Sequence, residues 1–304
     1  MNYEFSDKLN YFSVGIFNQL LEKQKELQKK GKKIYNLSVG TPDFKPSAHV
    51  MEAVSKAALD PENYKYALED MPELLDAVKT RYEKRYGVAL TREEIMSVYG
   101  SQEGMAHVCL PLINPGDMVL VPNPGYPIFS IGPFLCEAKL AEYPLLAENG
   151  FLPDLASIPE ETARQAKVMV VSYPANPVCA TAPDSFYEEL IAFAKKYQIL
   201  IIHDNAYSDI IYDGKIGKSF LSFNGAKEIG VEFYSLSKSY NYTGARVSFL
   251  LGNKDVITNF KKVRSQIDYG LFKPVQYGAI AALTGPDDDV ITNCMEYEAR
   301  RNAL

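Results

Sequence analysis

The apolar positions of this chain change period along its length, and the changes mark out its elements. Over residues 14–30, Val14, Phe17, Leu20, Leu21 and Leu27 recur at helical spacing with Gln, Glu and Lys between them, and Gly31 follows; this predicts an amphipathic helix. The run Lys33-Ile-Tyr-Asn-Leu-Ser-Val-Gly-Thr-Pro-Asp-Phe44 reads as a short strand entering a Gly and Pro loop, where backbone approaches a ligand closely. Helices are predicted near residues 48–59 and 73–86. Beyond Gly100, short apolar segments at 118–121, 168–172, 199–203 and 231–236 alternate with helical stretches, of which 186–197 is the clearest. Strands separated by helices predict an α/β fold of three α/β/α layers, its mostly parallel sheet covered on both faces. The turn at Gly285-Pro-Asp-Asp-Asp289 places negative charge at the start of a last helix over 290–304.

Composition narrows the function. A chain of 304 residues, 47% hydrophobic and 23% charged, buries a substantial core. Its net charge of -6 leaves no basic excess to displace counterions from phosphates, which disfavours nucleic acid and points to a small-molecule substrate. Cys109, Cys136, Cys179 and Cys294 lie far apart without a Cys-x-x-Cys pair, so they read as reduced, mostly core thiols. The N-terminus lacks a basic segment followed by an apolar one, and no apolar run is long enough to span a bilayer. A cytoplasmic protein with no membrane partner is expected. His49, His107 and His203 show no metal-ligand spacing, so no metal is expected; His203, next to Asp204, is placed to orient it.

In sheets of this kind ligands collect beyond the carboxyl ends of the strands, so the residues there carry the chemistry. Lys238 follows an apolar strand in Tyr234-Ser-Leu-Ser-Lys-Ser-Tyr-Asn241. An amine attacks an aldehyde only when deprotonated, and burial or a nearby cation such as Arg246 lowers its pKa from about 10.4. Asp204 ends Ile199-Leu-Ile-Ile-His-Asp204, where a carboxylate needs a cationic partner such as a protonated pyridine nitrogen. The ordinary alternative is a cap on a following helix. Tyr207 and Asn176 are both placed to hydrogen-bond a phenolic oxygen, although Asn176-Pro177 is also a common turn. Gly100-Ser-Gln-Glu-Gly104 opens a helix, so its amides and the Ser101 hydroxyl suit a phosphate, and Ser235, Ser237 and Arg246 complete an anion site. Asn123-Pro-Gly-Tyr-Pro127 holds Tyr126 on a rigid turn, where the ring either stacks on a flat heterocycle or packs as an ordinary aromatic.

Taken in order from about Asn36 to Arg301, these segments resemble the class I and II aminotransferases of pyridoxal-phosphate (PLP) fold type I. The most specific stretch is Ser235-Leu-Ser-Lys-Ser-Tyr-Asn-Tyr-Thr-Gly-Ala-Arg246, which is similar to the family's lysine signature with its phosphate-binding arginine. The resemblance implies that Lys238 holds PLP as an internal aldimine and later shuttles the substrate's α-proton. It implies Asp204 on the pyridinium, Tyr207 and Asn176 on the ring oxygen, and Tyr126 stacked on the ring. Ser101, Gln102, Ser235 and Arg246 would bind the phosphate, and Gly40 would line the substrate side. The family's homodimer sends a tyrosine from the neighbouring subunit to that phosphate; here it falls at Tyr66 or Tyr64, in a segment where Asp70 replaces the usual glycine.

The same resemblance implies an N-terminal arm and helix over 1–45, a PLP-binding large domain over 46–286, and the start of a truncated small domain over 287–304. Family members continue past that point into a domain that supplies the arginine for the substrate's α-carboxylate. The wording around Gly100 and Lys238 is closest to the aspartate and LL-diaminopimelate aminotransferase branch. The first expectation is therefore amino-group transfer between an amino acid and a 2-oxo acid. A PLP-dependent β-lyase or decarboxylase comes second, because no residue in the sequence decides which bond at the α-carbon stands perpendicular to the ring. A noncatalytic remnant that binds PLP or another chain comes third.

Overall fold

The computed structural model describes residues 1, 3–12, 16–37 and 40–304, with the backbone alone at 16 and 17. The chain divides into two units, Met1–Asp43 and Phe44–Leu304. In the first, a 3-10 turn at Asp7–Tyr11 is capped by the Ser6 hydroxyl, and helix α1 spans Ile16–Lys29. Gly31 follows at a positive φ of 78°, a conformation that glycine adopts without strain. Val14, read as part of this helix, lies outside the described residues, as do Ser38 and Val39. The strand expected from Lys33 does not form over residues 33–37, where Tyr35 and Leu37 are exposed. A β-propensity run becomes a strand only where a neighbouring edge takes its amides, and residues 33–37 pair with no strand of the sheet.

The second unit opens with helices α2 (Ala48–Ala58) and α3 (Pro72–Tyr86), then strand β1 (Ile95–Val98) and helix α4 (Ser101–Val108). Alternation follows through β2 (Met118–Asn123), α5 (Ile128–Leu135), β3 (Lys139–Pro144), α6 (Glu160–Gln165), β4 (Ala166–Ser172), α7 (Asp184–Tyr197) and β5 (Leu200–Asn205). The chain ends through α8 (Ala226–Ile229), β6 (Gly230–Ser235), α9 (Leu236–Ser239), β7 (Ser248–Gly252), α10 (Lys254–Arg264), α11 (Lys273–Thr284) and α12 (Asp288–Ala303). The strands form one seven-stranded sheet in the order β1-β7-β6-β5-β4-β2-β3. β7 runs antiparallel to both its neighbours, β1 and β6; the other pairs are parallel.

Successive strand residues point to opposite faces, and here both faces are covered. Ile95, Leu120, Met169, Val171, Ile201, Tyr234, Phe249 and Leu251 pack with residues of α2, α3, α7 and α11. Val98, Val119, Val121, Val168, Val170, Ile202, Phe233 and Leu250 pack with residues of α4, α5 and α10. Odd and even positions of single strands thus enter two different cores, which is the signature of an α/β/α sandwich. Each fully enclosed phenylalanine, such as Phe233 or Phe249, contributes roughly 1.5–3 kcal/mol of burial.

The pattern reading assigns neither β3 nor β7. β3 is an edge strand carrying Lys139 and Glu142, a charged alternation that protects an unpaired edge but weakens the apolar signal. β2 runs two residues past Val121 despite Pro122, because its ladder with β4 stops at Leu120 and leaves that side without a bond to lose. β6 ends at Ser235, since Leu236 begins α9. Of the four free cysteines only Cys109 is buried; Cys136 and Cys294 are half-buried and Cys179 is exposed, so the expectation of mostly core thiols fails.

Candidate active site

The strand register brings the signalled residues to one end of the sheet. Val98 of β1 pairs with Ser248 of β7, which pairs with Ser235 of β6. Gly100, Arg246 and Lys238, each a few residues from one of these, therefore emerge side by side. Ser172 pairs with Asp204, so the ends of β4 and β5 open at the same edge. The antiparallel entry of β7 is what lets Arg246, eight residues beyond Lys238, return to the place that strand β6 leaves.

The turn at Gly100 has the chemistry to receive an anion. Gly100 has φ +87°, and a Cβ there would stand 2.1 Å from Arg246 Nη2, so only a bare α-carbon admits the guanidinium. Arg246 Nη1 donates to the Thr243 carbonyl at 3.0 Å and Nη2 to the Tyr99 carbonyl at 3.4 Å. No side chain caps the N-terminus of α4, whose first amides remain available to a negative ligand. A chain of hydroxyls lines the turn: Ser101 Oγ donates to Ser248 Oγ at 3.2 Å, and Ser248 Oγ to Ser235 Oγ at 2.9 Å. Ser235 Oγ in turn accepts from the Ser237 amide at 3.2 Å and so caps the turn that carries Lys238. The Tyr126 hydroxyl donates to Gln102 Oε1 at 3.0 Å, which ties the proposed ring-stacking residue to the anion turn.

Lys238 is half-buried, with its ammonium 5.9 Å from the Tyr207 ring centroid. Burial and then the Arg246 charge push its pKa below the ordinary lysine value. Burial, followed by the Asp204 charge, raises the Tyr207 hydroxyl to about 12, and the nearby Asn176 side chain acts to lower it. Asp204 is the most exacting group here. Its Oδ1 is enclosed and has no hydrogen-bond partner, and burial pushes its carboxyl up to about 6. Burial, followed by the Asp204 charge, raises the Tyr126 hydroxyl above its ordinary value, and the Arg246 charge opposes this.

These features fit PLP. An enclosed carboxylate oxygen without a donor suits a protonated ring nitrogen, and an uncapped helix start beside a guanidinium and three serine hydroxyls suits a phosphate. A lysine of lowered basicity suits an aldehyde. Among the described residues no cluster of His, Cys, Asp and Glu is arranged to hold a metal.

The structure groups Ser101, Gln102, Tyr126, Asn176, Asp204, Tyr207, Ser235, Lys238 and Arg246 at the strand ends. It does not group all the signalled residues. Gly40 belongs to the N-terminal unit. Tyr64 and Tyr66 are exposed; the Tyr64 hydroxyl donates to the Ala58 carbonyl at 3.0 Å, while the Tyr66 ring packs beside Tyr269. His203 does not orient Asp204. Adjacent strand residues face opposite ways, and His203 Nδ1 lies 3.0 Å from Glu232 in the other core, where that carboxylate also accepts from Tyr82, Ser219 and the Phe220 amide. Ser248 escaped the sequence reading because its strand did; pairing β7 with β6 would have set it opposite Ser235.

A model of the family described as aminotransferase class I and II matches residues 32–304. LL-diaminopimelate aminotransferase of Moorella thermoacetica is 42% identical over 291 residues, 95% of this chain and 75% of that protein. Its counterpart in Desulforudis audaxviator is 44% identical over 276 residues, 90% of this chain and 70% of that one. Among solved structures, a probable N-succinyldiaminopimelate aminotransferase from Thermus thermophilus superposes with a TM-score of 0.90 at 34% identity, covering 94% of this chain and 77% of its own. An aminotransferase from Staphylococcus aureus does so with a TM-score of 0.90 at 31% identity, covering 98% and 77%.

Proposed function

The chain belongs to the class I and II aminotransferase family, and from that premise we propose how its residues divide the work and which donor it takes. It is a PLP-dependent aminotransferase, moving an amino group between an amino acid and a 2-oxo acid. The β-lyase, decarboxylase and noncatalytic alternatives give way to its kinship with named aminotransferases.

Bound PLP supplies a conjugated ring that takes up the electron pair released when the substrate loses its α-proton. Lys238, made less basic by burial and by Arg246, would hold the cofactor by its amine and, once released from it by the substrate's amine, would be the base that carries the α-proton. Asp204 keeps the ring nitrogen protonated through its donor-less Oδ1. Tyr207 and Asn176, close to each other, hold the ring oxygen, and Tyr126 covers the ring. Ser101, Gln102, Ser235 and Arg246 receive the phosphate.

As donor we infer LL-diaminopimelate, and the observation that carries this is the identity with LL-diaminopimelate aminotransferases over most of the chain. The test mixes the PLP-loaded chain with LL-diaminopimelate, N-succinyldiaminopimelate, aspartate and glutamate, and follows conversion of the cofactor to its amine form. LL-diaminopimelate is expected to convert it fastest, and Lys238→Ala is expected to abolish conversion with every donor. Faster conversion by aspartate or by the succinylated compound would refute this donor and leave the aminotransferase intact.

A homodimer belongs to the same reading. Tyr64, Tyr66, Leu68, Tyr269 and Phe272 are exposed, with Tyr64 against Phe272 and Tyr66 against Tyr269, an apolar patch suited to a second copy. The Tyr64 hydroxyl is spent on Ala58, which favours Tyr66 as the residue that reaches the partner subunit's phosphate. The division into an arm (1–45), a cofactor-binding domain (46–286) and the start of a smaller domain (287–304) is part of the proposal, as is a cytoplasmic location. No helix among the described residues is long and apolar enough to cross a membrane.

A further inference from the structure

The turn that places Arg246 is itself gripped by two charged side chains outside the site described above. Tyr99 is held at both ends of its backbone: its N–H donates to Glu103 Oε2 at 2.9 Å, and its carbonyl accepts from Arg246 Nη2 at 3.4 Å. Its hydroxyl donates to the Gly270 carbonyl at 3.0 Å, and its ring lies 4.9 Å from the Arg264 guanidinium. Arg264, on α10, is only 6% exposed. Its Nη1 donates to the Ser97 carbonyl at 3.1 Å, while its Nε stands 3.7 Å from Glu103 Oε1 without a hydrogen bond of its own. Glu103 Oε1 meets His107 Nδ1 at 2.6 Å. Ser97, in turn, gives both its N–H, at 2.8 Å, and its hydroxyl to the Asp70 carboxylate.

A carboxylate in the first turn of a helix normally stabilises that helix, but beside an anion site it opposes the anion. Arg264 resolves the conflict. Its buried charge offsets that of Glu103, while the 3.7 Å separation leaves Glu103 Oε2 committed to the Tyr99 amide rather than to a bidentate ion pair. The bracket therefore fixes Tyr99 while the Arg264 charge offsets that of Glu103. Tyr99 and Gly100 then fix Arg246, through one carbonyl and one bare α-carbon.

We propose that Glu103 and Arg264 are positioning residues for the phosphate-binding guanidinium of Arg246. This rests on the reading of the Gly100 turn and Arg246 as the phosphate site. Pyridoxal, which lacks the phosphate, separates the role from plain stability. The full chain without cofactor is titrated with PLP and with pyridoxal by absorbance and protein fluorescence, and its thermal midpoint is recorded. Glu103→Ala is expected to lower the preference for PLP over pyridoxal by about tenfold, through the PLP constant alone. Glu103→Gln, which keeps an acceptor for the Tyr99 amide, lowers it by about threefold or less. Arg264→Lys keeps the charge but loses the planar stack and the bond to Ser97, and lowers it by about fivefold.

PLP and pyridoxal constants that shift in parallel with the thermal midpoint, or that do not shift, in Glu103→Ala and Arg264→Lys overturn the proposal. Arg246→Ala serves as the reference. If it retains the wild-type preference, the phosphate-site reading fails and takes the bracket with it. If it loses the preference while the Glu103 and Arg264 variants keep it, the bracket alone fails. Should Glu103→Ala not fold, Glu103→Gln and Arg264→Lys carry the same comparison.

Discussion

Asp204 shows how burial tunes a carboxylate. Its carboxyl is pushed up to about 6 from an ordinary 3.8, chiefly by burial. The folded protein therefore binds this proton more tightly than the unfolded chain does. Below the unfolded value the group costs nothing; stability is lost as pH rises from about 4 through about 6, and the loss is complete above that. Asp204→Asn removes the titration. In the cofactor-free protein, the difference in thermal midpoint, variant minus wild type, should rise across this window and level off above it. With PLP bound the ranking should invert at neutral pH, because the ring nitrogen supplies the cation that the ionised acid lacks. Lys238, Asp204, Tyr207 and Asn176 were legible as candidates because each follows a readable strand. Glu103 and Arg264 were not: their meaning lies in contacts to Tyr99 and Ser97, and for Arg264 those contacts span more than 160 residues of chain.

At the scale of elements, the site depends on how closely α4 lies against the sheet. Gly104, on its inner face, is covered by Phe233 of β6 and Val98 of β1; a Cβ there would approach the Phe233 ring to 2.6 Å and Val98 Cγ2 to 3.0 Å. Both neighbours are enclosed in the core and have no room to yield. Gly104→Ala gains about 1 kcal/mol of helix propensity, but overpacking costs roughly 1–3 kcal/mol, so a net loss of up to about 2 kcal/mol is expected by denaturant titration. The same shift lifts the α4 amides from the cradle, so weaker PLP binding should accompany it. Helices with strong apolar periodicity, α2 and α7 among them, were legible to within a residue or two. β3 was hidden by the charges of an edge strand, and the segment expected as a strand at Lys33 pairs with no strand of the sheet.

At the scale of the whole molecule, the aromatic patch around Tyr66 carries the expected assembly. Leu68 is 71% exposed and Tyr66 78% exposed in the single chain. Leu68→Glu should leave the thermal midpoint of a monomer nearly unchanged, since surface substitutions usually fall within about 0.5 kcal/mol, yet split a dimer in analytical ultracentrifugation. Tyr66→Phe should weaken PLP binding by about tenfold with sedimentation unaltered, if its hydroxyl serves the partner subunit's phosphate. An unchanged sedimentation coefficient for Leu68→Glu would remove this patch as the interface. By itself the sequence determined the fold class, because the period of apolar residues is a local property of the chain; its resemblance to a known family indicated the cofactor, and strand-end position marked the candidates for the site. Only the tertiary structure decided which face His203 serves, how β7 returns Arg246 to Gly100, and what braces that turn. Those depend on register between segments distant in sequence, where packing and hydrogen-bond geometry, rather than local pattern, select the partner.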